Sequence, residues 1–178
     1  MEALEFNVSQ LLRAQVGTTT HHRVDVDTPM ELDGIRTWGM HGRVNLIRTN
    51  FGILAHADLE ARAGLECDRC LEPFEAPVVA RFDEEYLPII DISTGRPVQS
   101  ERTDETFFIS PNHVVDLTEA VRQNLLLAIP MHSVCSEDCR GLCSVCGTNR
   151  NLNSCDCVLE EEHPFAVIAG LLDGEESA

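Results

Sequence analysis

Lysine is missing from this chain of 178 residues, whose 13 basic side chains are all arginine. A phosphate-loop lysine, a Schiff-base lysine and a lysine general base are therefore excluded. No apolar run approaches the roughly 18 residues of a membrane span. The opening MEALEFNVSQLLR lacks a basic region followed by an apolar stretch, so no export signal is expected and the expected compartment is cytoplasmic. There is no Gly-rich phosphate loop, no cluster of carboxylates of the kind a nuclease uses for metal, and no internal repeat. None of the seven histidines sits in a nucleophile–base motif.

Acid is what the chain has in excess, with 30 carboxylates and a net charge of -17. The imbalance is steepest over residues 111–178, where 11 acids face three arginines. Coating a nucleic acid by its phosphates demands the reverse balance, so any such contact must be local to a few arginines. Basic proteins are the natural electrostatic partners of the remainder, and solubility explains the same composition. The acidic runs Asp83-Glu84-Glu85 and Glu160-Glu161-Glu162 are the candidate faces for a basic partner, and solvated surface is the competing reading.

Periodicity predicts an α+β fold: an antiparallel sheet or partial barrel, then helices and a cysteine-rich segment. LEFNV reads as a short strand, followed by a brief helix started by Ser9. Residues 20–27 alternate like an edge strand, and Pro29 and Gly34 punctuate a loop. Val44 and Leu46, then Ile53, Ala55, Ala57, Leu59 and Ala61, recur at period two, with a turn at Asn50. Val78, Ala80 and Phe82 share one face of a further strand over 75–87. Residues 91–105 form a polar loop, a candidate for disorder, and Phe107 to Ile109 a short buried strand. Asp116 and Glu119 suggest a capping box, and Leu117, Ala120, Val121, Leu125, Ala128 and Ile129 mark a helix ended by Pro130. Pro164 opens a last apolar helix. Gly52 and Gly64 are candidate bends. The division expected is a β-rich region, 1–112, with 113–178 (helix, zinc segment and terminal helix) packed on it.

Eight cysteines carry the strongest chemical signal. In a reducing compartment, thiols clustered at these spacings indicate metal ligation rather than disulfides. Cys143-Ser-Val-Cys146-Gly147 has the zinc-knuckle form, in which a tight turn aims two thiolates at one ion. Short loops close with less entropy loss, so Cys143, Cys146, Cys155 and Cys157 are assigned to one zinc. Cys67, Cys70, Cys135 and Cys139 are assigned to a second, joining the sheet to the helical end. His132 or His163 could replace a cysteine. A site closed by four thiolates has no open position for water, so both ions are read as structural and the protein as no enzyme. Arg36, Trp38, His41, Arg43 and Arg48 are the candidate RNA contacts, arginine with an aromatic serving phosphate and base together.

Five blocks stand out together: FNVSQLLR at 6–13, CDRCLEPFEAPV at 67–78, VVDLTEAVRQNLLLAIPMHSVC at 114–135, CRGLCSVCGTNRNLNSCDC at 139–157 and PFAVIAGLL at 164–172. In this order they resemble the YceD-like large ribosomal RNA subunit accumulation proteins. The resemblance implies a cytoplasmic, non-enzymatic factor needed for accumulation of large-subunit rRNA and acting in ribosome assembly. The partners expected are the pre-ribosomal large subunit, a basic ribosomal protein or large-subunit rRNA, with no membrane and no small-molecule substrate. It carries over no catalytic residues. Two alternatives compete: a zinc-stapled interaction adaptor outside the ribosome, and a thiol oxidoreductase using Cys67 and Cys70.

Overall fold

Three long strands with apolar side chains at every second position set the architecture. The computed structural model describes residues 4–98 and 106–158. In chain order the elements are β1 (Glu5–Asn7), α1 (Ser9–Arg13), β2 (Thr19–Val26), β3 (Met30–Leu32), β4 (Ile35–Arg48) and β5 (Ile53–Glu66). Then come β6 (Pro73–Pro88), β7 (Phe107–Ile109), β8 (Val114–Asp116) and α2 (Thr118–Ala128). The main sheet runs β2-β4-β5-β6-β7, with β3 also paired to β4, and β1 and β8 form a separate two-stranded pair. Every pairing is antiparallel except β6 with β7. Among the described residues the sheet is open, with β2 and β7 at its edges, and does not close into a barrel.

The period-two positions of β5 are all inward: Ile53, Ala55, Ala57, Leu59, Ala61 and Ala63 are buried. Val44 and Leu46 of β4 and Val78, Ala80 and Phe82 of β6 join them. Four alanines on β5 keep that face low. Helix α2 lies against β6 and adds Ala120, Val121 and Leu125, while α1 adds Leu11 and Leu12. Each large side chain so buried stabilises the fold by about 1.5–3 kcal/mol. This single cluster extends from Leu4 to Leu125, so the core is continuous across residue 112. β1 and β8 reinforce the join, Phe6 lying opposite Val115.

Several local expectations change. The loop after Pro29 contains β3, returned by a two-residue turn at Asp33-Gly34 whose positive φ values, 49° and 88°, suit the right-handed twist of a hairpin. α1 begins at Ser9, but its N-cap is Val8, which offers no side-chain bond; Asn7 Oδ1, one residue upstream, accepts the Ser9 N–H and hydroxyl at 3.1 and 2.6 Å. The brief helix expected at Ser9 is α1 and it precedes the main sheet, so only α2 among the described helices follows the long strands. No capping box forms at α2. Asp116 Oδ1 accepts the Thr118 N–H at 2.9 Å, but Glu119 is drawn forward by Arg122 and Gln123, whose side chains donate to it at 2.8–2.9 Å. Ile129, preceding Pro130, is already extended, as a residue before proline prefers.

Of the two candidate bends, Gly52 is a close approach: a Cβ there would lie 2.0 Å from the Tyr86 carbonyl oxygen. Gly64 sits in unbroken register opposite Glu75 and makes room for the Trp38 ring. The irregularity falls instead between Trp38 and His41, where Gly39 takes φ +61°. Residues 91–98 form a compact turn with Ile90 bridged to Pro97; the rest of the polar loop, Glu160-Glu161-Glu162, His163 and the apolar segment 165–172 lie outside the described residues. No helix among the described residues is long and apolar enough to cross a membrane.

Candidate metal centres and the exposed sheet face

The β5–β6 hairpin does not close by a plain turn; its tip is the Cys67–Cys70 knuckle. The Cys67 N–H donates to the Glu72 carbonyl at 3.0 Å and the Leu71 N–H to the Cys67 carbonyl at 2.8 Å, folding both thiols inward. Leu71 takes φ +59° to complete the turn. The chain leaving α2 runs back to this tip. Asp68 and Ser133 exchange bonds, backbone N–H to carbonyl at 2.8 Å and Ser133 N–H to Asp68 Oδ2 at 2.9 Å. Arg69 holds the same segment through the Glu137 and Cys139 carbonyls. Cys135 and Cys139 thereby meet Cys67 and Cys70.

Both assigned sets of four cysteines come together, with all sulfurs of each set within 4.8 Å of one another. Cys67 to Cys139 and Cys70 to Cys135 are each 3.8 Å apart, and all eight thiols are free of disulfides. Sulfurs bound tetrahedrally at about 2.3 Å from one zinc are about 3.8 Å apart, so the donor set fits that ion. Outer donors are in place as well: the Cys135 N–H reaches Cys67 Sγ at 3.4 Å and Asn151 Nδ2 reaches Cys139 Sγ at 3.2 Å. His132 is not among the ligands. It is 91% exposed and turns its Nδ1 to Asp68, 3.5 Å away.

Without a cation the thiols divide. Burial pushes Cys67 up, but the N–H donors of Cys135, Cys70 and Arg69 outweigh it and bring the thiol down to about 6. Cys135 is driven up to about 12, chiefly by the Cys139 sulfur. The second set repeats this, Cys146 falling to about 6 beside the Thr148 hydroxyl and Cys157 rising to about 12 beside Cys146. Four adjacent sulfurs cannot all carry charge alone, and a bound dication removes that conflict.

The second set is built locally. The Cys143 N–H donates to the Thr148 carbonyl and the Gly147 N–H to the Cys143 carbonyl, both at 2.8 Å. It docks on the first through Leu142 N–H to the Arg69 carbonyl, 2.9 Å, and Asn149 Nδ2 to Glu72, 3.3 Å.

The RNA candidates are distributed by the β4 bulge. Thr37 is buried before it and Met40, Val44 and Leu46 after it, so Arg36, Trp38, His41 and Arg43 all project from the outer face of the sheet. A regular strand would have split them between faces. Arg48 falls on the inner parity and is used by the β4–β5 turn, its guanidinium donating to the Thr49 and Gly52 carbonyls at 2.7 and 2.9 Å. The acidic run 83–85 is likewise divided. Asp83 pairs outward with His56 at 2.6 Å, Glu85 accepts the Thr49 hydroxyl, and half-buried Glu84 faces inward with its carboxyl raised by burial and by Asp83. It does not form one acidic face, because successive strand residues point to opposite sides. Sequence reading missed Arg23, Arg62 and Arg81 on the outer face: their alternation was visible, but cross-strand register was not.

A family model described as the large ribosomal RNA subunit accumulation protein YceD matches residues 55–172. The match takes in β5 from Ala55 onward, the knuckle, α2 and all eight cysteines. The chain belongs to the YceD family. Among curated proteins it is similar to the chloroplastic YCED homolog 1 of Arabidopsis thaliana, 35% identical over 48 residues, and to that of Zea mays, 34% identical over 55 residues. These matches cover 27% and 30% of this YceD-family chain but 15% and 19% of the relatives, less than a fifth of their length. No solved structure matches.

Proposed function

We propose that this YceD-family protein is a non-enzymatic factor for accumulation of large-subunit rRNA, acting in the cytoplasm on pre-ribosomal large-subunit particles. The observation that carries the reading is the family match across residues 55–172, which includes both four-cysteine clusters and the helix that joins them to the sheet. Two structural zinc ions complete the scaffold. Each would be held by four thiolates, which leaves no coordination position for a reacting water. The thiol oxidoreductase alternative is disfavoured by burial, since Cys67 and Cys70 are 0% and 3% exposed and their sulfurs face Cys139 and Cys135. The net charge of -17 disposes the bulk of the surface toward basic ribosomal proteins on the same particle.

Depletion in growing cells tests this. The ratio of large- to small-subunit rRNA should fall, and the protein should sediment with pre-ribosomal particles. An unchanged ratio together with sedimentation only as free protein would defeat the proposal and leave an adaptor role outside the ribosome.

A further inference from the structure

One transverse row of the outer sheet face carries an unusual arrangement. Strand pairing places Arg23 opposite Arg43, Arg43 opposite Asp58, and Asp58 opposite Arg81. Asp58 is committed to Arg81, whose Nε donates to it at 3.1 Å. Arg23 and Arg43 are exposed and make no ion pair among the described residues. Like charges directly opposite on neighbouring strands destabilise a sheet. In a chain with 30 carboxylates and 13 arginines, composition does not force such a pair. Two guanidinium groups carried on directly opposed strand positions can both reach the oxygens of one phosphate, which would remove the repulsion.

The surroundings fit a nucleic-acid strand. Beside the arginine pair is a groove of about 450 Å³ lined by His21, Arg43, Asn45, His56 and Asp58. Further along β4, a second groove of about 510 Å³ is lined by Trp38, His41, Pro77, Glu60 and an Arg62 already paired with Glu75 at 3.3 Å, so its apolar wall at Trp38 rather than its charge suits a base. Trp38 lies over Gly64 and is half-buried, a ring held in place at the groove wall. The bulge at Gly39 is what turns Trp38 and Arg43 to the same side. Five residues of strand separate them, roughly 15 Å at the usual rise.

We propose that this face binds single-stranded RNA, Arg23 and Arg43 clamping a backbone phosphate while Trp38 stacks a base. A basic protein segment would be repelled by the arginine pair, and an acidic peptide would have no use for the indole. A duplex offers no free base face to Trp38. The inference deepens the rRNA reading and rests on it. The acidic remainder of the surface confines the contact to this row and its neighbours.

Fluorescence anisotropy on the full chain, with a labelled 12-nucleotide single strand of mixed sequence and its duplex at several salt concentrations, tests it. The single strand should bind and the duplex should bind far more weakly. The Arg23→Ala, Arg43→Ala double variant should weaken binding about tenfold and flatten the salt dependence by about 0.7 in log–log slope, one phosphate contact. Its melting temperature should equal or exceed that of the parent, because a repulsion is gone. Trp38→Ala should weaken binding about tenfold without changing the slope. Absence of binding by the parent, equal affinity for the duplex, or parental affinity in the double variant would overturn the proposal. If depletion nevertheless lowers large-subunit rRNA, only the RNA surface falls and the contact is through protein.

Discussion

The two four-cysteine clusters share a donor set and differ in what they hold together. The first takes two ligands from the β5–β6 hairpin tip and two from the chain beyond α2, across 65 and 72 residues of sequence. Three of its cysteines are buried. The second draws all four ligands from residues 143–157, and only Cys143 is buried. The same chemistry thus staples distant elements in one place and organises a short loop in the other. Ligand spacing, not ligand type, therefore sets how much of the fold each proposed zinc would support, because closing a long loop restricts the unfolded chain more.

That comparison can be broken. Cys67→Ser should halve the zinc content and lower stability by several kcal/mol, a melting shift of about 10 °C on the scale of a structural zinc. Metal analysis with calorimetry checks it, and a shift no larger than for the second cluster would refute the asymmetry. Gly52→Ala tests the core without touching either cluster. The new Cβ would meet the Tyr86 carbonyl, so we expect a loss of about 1–3 kcal/mol in urea unfolding with zinc content unchanged. Cys146→Ser should also halve the zinc, yet leave the sheet melting within about 3 °C of the parent, and expose residues 143–157 to protease. Equal melting losses for Cys67→Ser and Cys146→Ser would show that the second cluster also supports the sheet.

The smallest effect concerns α2, which carries the chain from sheet to first cluster. Hydrogen bonds from Arg122 and then Gln123 hold the Glu119 carboxyl down to about 2. A folded value below the unfolded one contributes stability above about 4.5, and that contribution disappears as pH falls through about 2. The pair is largely exposed, so Glu119→Gln should cost about 0.5 kcal/mol at pH 7 and nothing near pH 2, read by urea unfolding at both values. The same cost at both pH values would exclude the charge as its source.

Much of this was legible in the residues because it depends on local period and spacing. The inward set Ile53, Ala55, Ala57, Leu59 and Ala61 follows from alternation, and the helical stripe containing Ala120, Val121 and Leu125 from its 3.6 period. The Cys143–Cys157 set follows from short-loop closure. The bulge at Gly39 was not legible, since one inserted residue leaves the surrounding pattern intact while reversing parity beyond it. It is the bulge that puts Arg36 and Trp38 on the face of His41 and Arg43, whereas Arg48, five residues beyond Arg43 on a regular stretch, falls on the opposite face by plain alternation. Glu119 illustrates a local motif overridden by neighbours one turn ahead.

By itself the sequence determined that lysine chemistry was absent, that Cys143, Cys146, Cys155 and Cys157 form a local set, and that the chain resembles one family. Those properties reside in composition and in intervals along the chain. Register was decided by the tertiary structure, because pairing between strands depends on buried faces meeting and on where one residue is inserted. Register puts Arg23 against Arg43 and seats Trp38 over Gly64, while the bonds of Asp68 and Arg69 to the chain beyond α2 bring Cys135 and Cys139 to the hairpin tip. A chain that is acidic nearly throughout thereby acquires one outward pair of arginines without carboxylate partners among the described residues.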